Sequence, residues 1–155
     1  MKLRTLTVSL IGLVAALAPT MNADMPGRHP AYLHARTDLR TAQFFMRVHE
    51  EPNVTRNLDR AAQEVEAAIG EIDRAAVLDR KDLVDHPRID THMDRRHRFE
   101  NIVALLRSAR ADLAREEDNG RARGWRNDAY RHIDAALEHV HRAAVDLHWD
   151  HELGF

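Results

Sequence analysis

Cysteine is absent from the 155 residues, which excludes disulfides, thiolate zinc sites, iron–sulfur clusters, covalently attached c-type haem and cysteine nucleophiles before any motif is considered. Serine is almost as scarce: after Ser9 the chain has Ser108 alone, so a serine nucleophile is not expected. There is no His-Glu-x-x-His, no Gly-x-Ser-x-Gly, no glycine-rich phosphate loop and no dinucleotide fingerprint. Charge of one sign is not in excess, because 23 Lys and Arg face 25 Asp and Glu for a formal net charge of −2. A strongly basic face for nucleic acid is therefore not expected. What remains, with 44% hydrophobic, 31% charged and 5% aromatic residues, six Gly and five Pro, fits one helix-prone globular domain. No enzymatic activity has positive support, and the chain is expected not to be an enzyme.

Long apolar runs are limited to one. Lys2 and Arg4 precede about 13 mostly apolar, uncharged residues from Leu6 to Ala18, the layout of a secretory signal peptide. The run falls short of the roughly 20 residues that a membrane-spanning helix needs. Cleavage after Ala23 is expected, with 1–23 as signal and 24–155 as one domain in the periplasm or beyond, with no stable span left after cleavage. Removal takes two bases and no acid, leaving 21 bases, 25 acids and a formal charge of −4.

An internal repeat organises the rest. Val65-Glu66-Ala67-Ala68-Ile69, Ile72 and Arg74-Ala75-Ala76-Val77 match Ile133-Asp134-Ala135-Ala136-Leu137, Val140 and Arg142-Ala143-Ala144-Val145 at an offset of 68. Leu39-Arg40-Thr41-Ala42 matches Leu106-Arg107-Ser108-Ala109 at an offset of 67. One helical hairpin is thus used twice, over about 30–83 and 94–151. Apolar residues three and four apart mark four helices, through Tyr32 to Met46, Val54 to Ile72, Phe99 to Leu113 and Ala129 to Leu147. Pro52-Asn53, the segment around Pro87 and Asn119-Gly120 punctuate them, and Thr91 with Asp94 resembles a capping box. The expected fold is an all-α, up-down-up-down four-helix bundle built from a duplicated hairpin. Its many inward alanines bury little area each, so leftover apolar surface would allow a homodimer.

Eleven histidines are several times the usual abundance. An up-down-up-down order would gather His29, His34, His86, His92, His97, His141, His148 and His151 at one end, with Asp38, Asp79, Asp82, Asp85, Asp90, Asp94, Asp146 and Asp150. Imidazole with carboxylate suits zinc, copper or nickel. His34, His97 and His148 are the leading candidate ligands, from three helices, with His86, His141 and His151 beside them. His141 and His148 would share a helix face, as would His148 and His151 if that helix continued so far. The alternative role for these histidines is a response to pH: protonating all of them would carry the mature chain from about −4 towards +7. Some would simply be hydrogen-bonded boundary residues, and Trp125 and Trp149 are expected as packing anchors.

His29-Pro30-Ala31-Tyr32-Leu33-His34-Ala35 with Asp38-Leu39-Arg40, then Asp85-His86-Pro87 with Asp90, Ala114-Arg115-Glu116-Glu117-Asp118 and His132-Ile133-Asp134-Ala135-Ala136, resembles a family of small exported bacterial all-helical proteins. The resemblance spans nearly the whole mature chain and implies that His34, Asp38, His86 and His132 belong to a recurring pattern. It brings no activity, cofactor or partner. The expected function is that of a non-enzymatic exported bundle with a binding or envelope-stress role. The alternatives are a histidine-based zinc, copper or nickel binder, and a chaperone-like or structural envelope protein with pH-dependent association.

Overall fold

A computed structural model describes residues 30–78, 92–115, 120 and 122–155. The expected signal segment 1–23, His29, His86 and Thr91 lie outside the described residues. Four helices follow one another: α1 (Pro30–Met46), α2 (Pro52–Leu78), α3 (Arg95–Arg115) and α4 (Ala122–Asp146). Their inward stripes are those the spacing implies. Tyr32, Leu39 and Met46 of α1, Val54, Leu58, Val65 and Ile72 of α2, Phe99, Ile102, Leu106 and Leu113 of α3, and Ile133 and Val140 of α4 are all buried in one core. The chain is an all-α four-helix bundle.

Local chemistry sets the helix ends. Pro52 opens α2, where a missing N–H costs nothing, and the Glu50 N–H donates to Thr55 Oγ1 at 2.8 Å, tying the short turn after α1. Asp94 caps α3: its carbonyl accepts from the Arg98 N–H at 3.0 Å and its Oδ1 from the His97 N–H at 3.0 Å. The carboxylate that the capping-box spacing assigns to the first turn is itself the cap. At the far end of α4 the Trp149 N–H donates to Ala144 O (2.9 Å) and the His148 N–H to Val145 O (3.0 Å), with His148 at φ 59°. This is a Schellman stop with histidine where glycine is usual. The last helix therefore ends at Asp146, and His148 and His151 do not share a helix face with each other or with His141.

The order of helix directions differs from the expected one. Glu50, in the α1–α2 turn, contacts Arg95 and Arg98 at the start of α3, while Asp38, mid-way along α1, meets Ser108 in the second half of α3. Hence α3 runs antiparallel to α1. Phe99 stacks edge-on with Trp149 beyond α4, at 5.7 Å between ring centroids, and Arg110 pairs with Asp134, so α4 runs antiparallel to α3. Asn57 reaches Asp146 and Glu64 reaches His132, so α2 and α4 are also antiparallel. The order is up-down-down-up. The cause is how the two hairpins meet. Packing is closest between α2 and α4, then between α1 and α3, which are the matched helices of the repeat. Two copies of one apolar face are complementary to each other when related by a two-fold operation, which inverts the second copy. Glu64 and His132, 68 positions apart and hence matched in the repeat, touch each other across the α2·α4 seam.

Small residues make the α2·α4 seam tight. Ala61, Ala68, Ala75, Ala129, Ala136 and Ala143 are fully buried, so the backbones approach closely and contact area replaces side-chain volume. The groove between α3 and α4 is filled differently, by the segment after α4: Leu153 is buried there, Trp149 leans on Phe99, and the Gly154 carbonyl accepts from Arg107 at 2.8 Å. Both tryptophans are partly buried against the core, as packing anchors.

Two substitutions check this account. Ala136→Leu should destabilise the bundle by about 1–3 kcal/mol in urea unfolding, because the seam has no room for three further carbons. An unchanged midpoint would contradict the close approach. His148→Gly should stabilise by about 1 kcal/mol, since glycine adopts a positive φ without the Cβ clash.

Candidate functional site

The inverted second hairpin disperses the expected histidine cluster. One end of the bundle carries the start of α1, the end of α3 and the start of α4, and His34 is there. The other end carries the α1–α2 turn, the start of α3 and the close of α4, with His49, His92, His97, His148 and His151. His34 is thus separated from His97 and His148 by most of the bundle's length, and the three do not form one site. His141 packs elsewhere, its ring stacked on Phe155 at 4.7 Å in the α3–α4 groove, with the Arg107 guanidinium also over Phe155. His151 is exposed beside Asp150, and His49 is exposed at the end of α1. Among the described residues no three His, Asp or Glu side chains come together in a way that could hold a metal ion.

Ionisable residues gather instead at three junctions between helices. At the turn end, the Glu50 side chain is only 8% exposed, accepts a hydrogen bond from Arg98 and lies 2.8 Å from Arg95 Nε in an ion pair, while Glu51 pairs with Arg95. Arg95 also lies over the Trp149 ring at 5.6 Å, so this network joins the α1–α2 turn, α3 and the segment after α4. Beside it, His97 Nδ1 lies 2.5 Å from Asp94 Oδ2. The hydrogen bond and charge of Asp94 hold the His97 imidazolium above its ordinary pKa, and the His97 N–H and side chain hold the Asp94 carboxyl below its own.

The second junction lies in the α1·α3 seam. Asp38 and His34 stand one turn apart on α1, and from α3 come Ser108, hydrogen-bonded to the Asp38 carboxylate, and Asp112, which is 7% exposed and paired with Arg115 at 3.2 Å. Burial pushes Asp38 above the usual carboxylate range, with the Ser108 hydrogen bond acting against that shift and the charge of Asp112 adding to it. Ser108 is engaged by a carboxylate, which is not the serine–imidazole contact of an activated nucleophile. At the third junction His132 Nδ1 meets Glu64 Oε2 at 2.7 Å across α2·α4, both about one-third exposed. Within the first hairpin Arg36, 6% exposed, donates to Asp73 at 2.6 Å.

His34, Asp38 and His132 are each found at a seam, His34 and Asp38 in one and His132 in the other. Ser108, Asp112 and Glu64 were not anticipated as their partners. Two signals in the sequence pointed that way: Glu64 is the repeat counterpart of His132, and Ser108 stands in the block matched to Leu39-Arg40-Thr41-Ala42. No family model, no curated protein and no solved structure matches the chain.

The Asp94–His97 pair makes the start of α3 sensitive to pH in two directions. The His97 pKa is raised on folding, so its contribution is full below the ordinary value of 6.5 and fades as pH rises through the folded one. The Asp94 pKa is lowered, so its contribution is present above the ordinary 3.8 and fades as pH falls through the folded one. Asn caps helices as well as Asp does but carries no charge. Asp94→Asn should therefore melt below the unsubstituted protein most clearly between about pH 4 and 6.5, with the gap narrowing as rising pH takes the proton from His97; a gap independent of pH would refute the pairing.

Proposed function

We propose that this chain is a non-enzymatic, exported helical-bundle protein with a binding or structural role in the cell envelope. The observation that carries the reading is the His132–Glu64 contact. Two matched positions of the duplicated hairpin, occupied by the residue types that acid–base or metal chemistry would use, are tied to each other through His132 Nδ1 and Glu64 Oε2 across the tightest seam of the bundle. The Glu50 network and the Asp38–Ser108 bond are of the same kind, joining separate helices. The exported setting is supported by the charge and apolar pattern of residues 1–23 and by the resemblance to small exported helical proteins. The described helices include none long and apolar enough to cross a membrane.

Thermal melts of the purified mature chain at pH 7, with and without zinc, copper and nickel and after a chelator wash, test this reading against the histidine-based metal binder. A ligand that binds only the folded state at 100 times its dissociation constant adds about 2.7 kcal/mol, several degrees in a domain of this size. The expected result is no selective, chelator-reversible rise with any of the three ions. A rise with one of them would replace the structural reading by metal binding.

A further inference from the structure

Of the helix pairs in contact, α3 and α4 touch least, and the groove between them is filled by residues 149–155, a strap that follows α4. Three apolar anchors hold it. The Trp149 ring stands edge-on to Phe99 at 5.7 Å with the Arg95 guanidinium 5.6 Å above it, Leu153 is buried, and the Phe155 ring stacks on His141 at 4.7 Å with the Arg107 guanidinium 5.6 Å away. Polar contacts follow the same line: Arg107 donates to the Gly154 carbonyl at 2.8 Å, and Glu152 pairs with Arg96 at 2.8 Å. The groove is an apolar slot rimmed by Arg95, Arg96 and Arg107 of α3, and the strap is its complement, apolar anchors interleaved with Asp150 and Glu152.

One strained residue joins strap and bundle. His148 stands at φ 59°, where a Cβ crowds the following carbonyl, and it is the one described residue other than glycine with a positive φ. That conformation is what folds the strap back onto its own chain. With His148 at an ordinary negative φ the crowding is gone, but the strap is carried away from its own groove. The contacts it makes there are equally available in the groove of an identical chain. Beside the hinge, on the last turn of α4, Val145 is 47% exposed, an apolar side chain without cover where two chains would cross.

We propose that residues 149–155 form an exchangeable strap and that the partner of the α3–α4 groove is a second copy of this chain: with His148 relaxed, each chain lays its strap into the groove of the other, giving a two-fold dimer. The Trp149, Leu153 and Phe155 anchors and the Glu152–Arg96 pair are then made twice, each time between chains. The folded-back and exchanged forms share these contacts and differ in the hinge and in the freedom lost on association, so concentration and the residue at position 148 set the balance.

Sedimentation equilibrium of the mature chain from micromolar to millimolar concentration tests the exchange, with two hinge variants beside it. The unsubstituted chain should pass from one copy to two as concentration rises. His148→Gly accepts the positive φ without crowding and should raise the dimer dissociation constant about tenfold or more, since each dimer has two hinges. His148→Pro, whose ring holds φ near about −65°, cannot fold the strap back and should be a dimer already at micromolar concentration. Because the chain has no cysteine, introduced thiols report without background. A copy with His141→Cys mixed at millimolar concentration with a copy carrying Phe155→Cys, then treated with a short bifunctional maleimide, should give a product joining positions 141 and 155 of different chains. A chain that stays single at millimolar concentration overturns the proposal. So does a dimer in which a chain carrying both substitutions is joined only within itself, because association then uses another surface. If His148→Pro does not fold, the His148→Gly constant and the cross-link decide.

Discussion

Everything else in this bundle depends on the self-complementarity of one helical hairpin. The apolar face made by α1 and α2 recurs in α3 and α4, and a surface used twice packs on itself when one copy is inverted, so that each helix of the first copy lies against its counterpart in the second. Inversion sets the two alanine-rich helices against each other and leaves α1 to pack along α3. It also makes every adjacent pair of helices antiparallel, which aligns their dipoles favourably. The burial of Leu39 with Leu106, and of Ala68 with Ala136, follows from that one operation.

The ionisable residues act within this frame. Burying a charge is unfavourable unless a partner and hydrogen bonds accompany it; Glu50 with Arg98 and Arg36 with Asp73 are hydrogen-bonded ion pairs between different elements, and Arg95 adds its charge beside Glu50. Such pairs add little net stability compared with an apolar contact, but each tolerates one relative placement of the two elements it joins. The alanine seam supplies closeness between α2 and α4, and the ion pairs place α1 and α3 beside it. An exposed pair within a single helix, such as Arg142 with Glu138, contributes little.

The helices themselves were legible because their periodicity is local. The stripe from Val54 to Ile72 needs no knowledge of what faces it, and Pro52 marks a boundary through its own covalent structure. The end of α4 was less legible: Leu147 continues the apolar spacing, yet the chain turns at His148, because Trp149 and Leu153 gain more by covering the α3–α4 groove than a further helical turn would. The histidine cluster was inferred through topology and shared its error. His34 and His97 both stand near the start of a helix, and whether those starts coincide depends on the sense in which the second hairpin is laid on the first.

By itself the sequence determined the number of helices, their inward faces, the duplication and the residue types available for polar contacts, since these follow from spacing along one chain. Only the tertiary structure decided which ends meet, and with that the pairing of Glu64 with His132, of Asp38 with Ser108, and the separation of His34 from His97 and His148. The physical reason is that an amphipathic stripe fixes how a helix rotates about its own axis and carries almost no information about the direction in which it runs. Direction is settled by long-range complementarity between seams, through alanines and charges far apart in the chain.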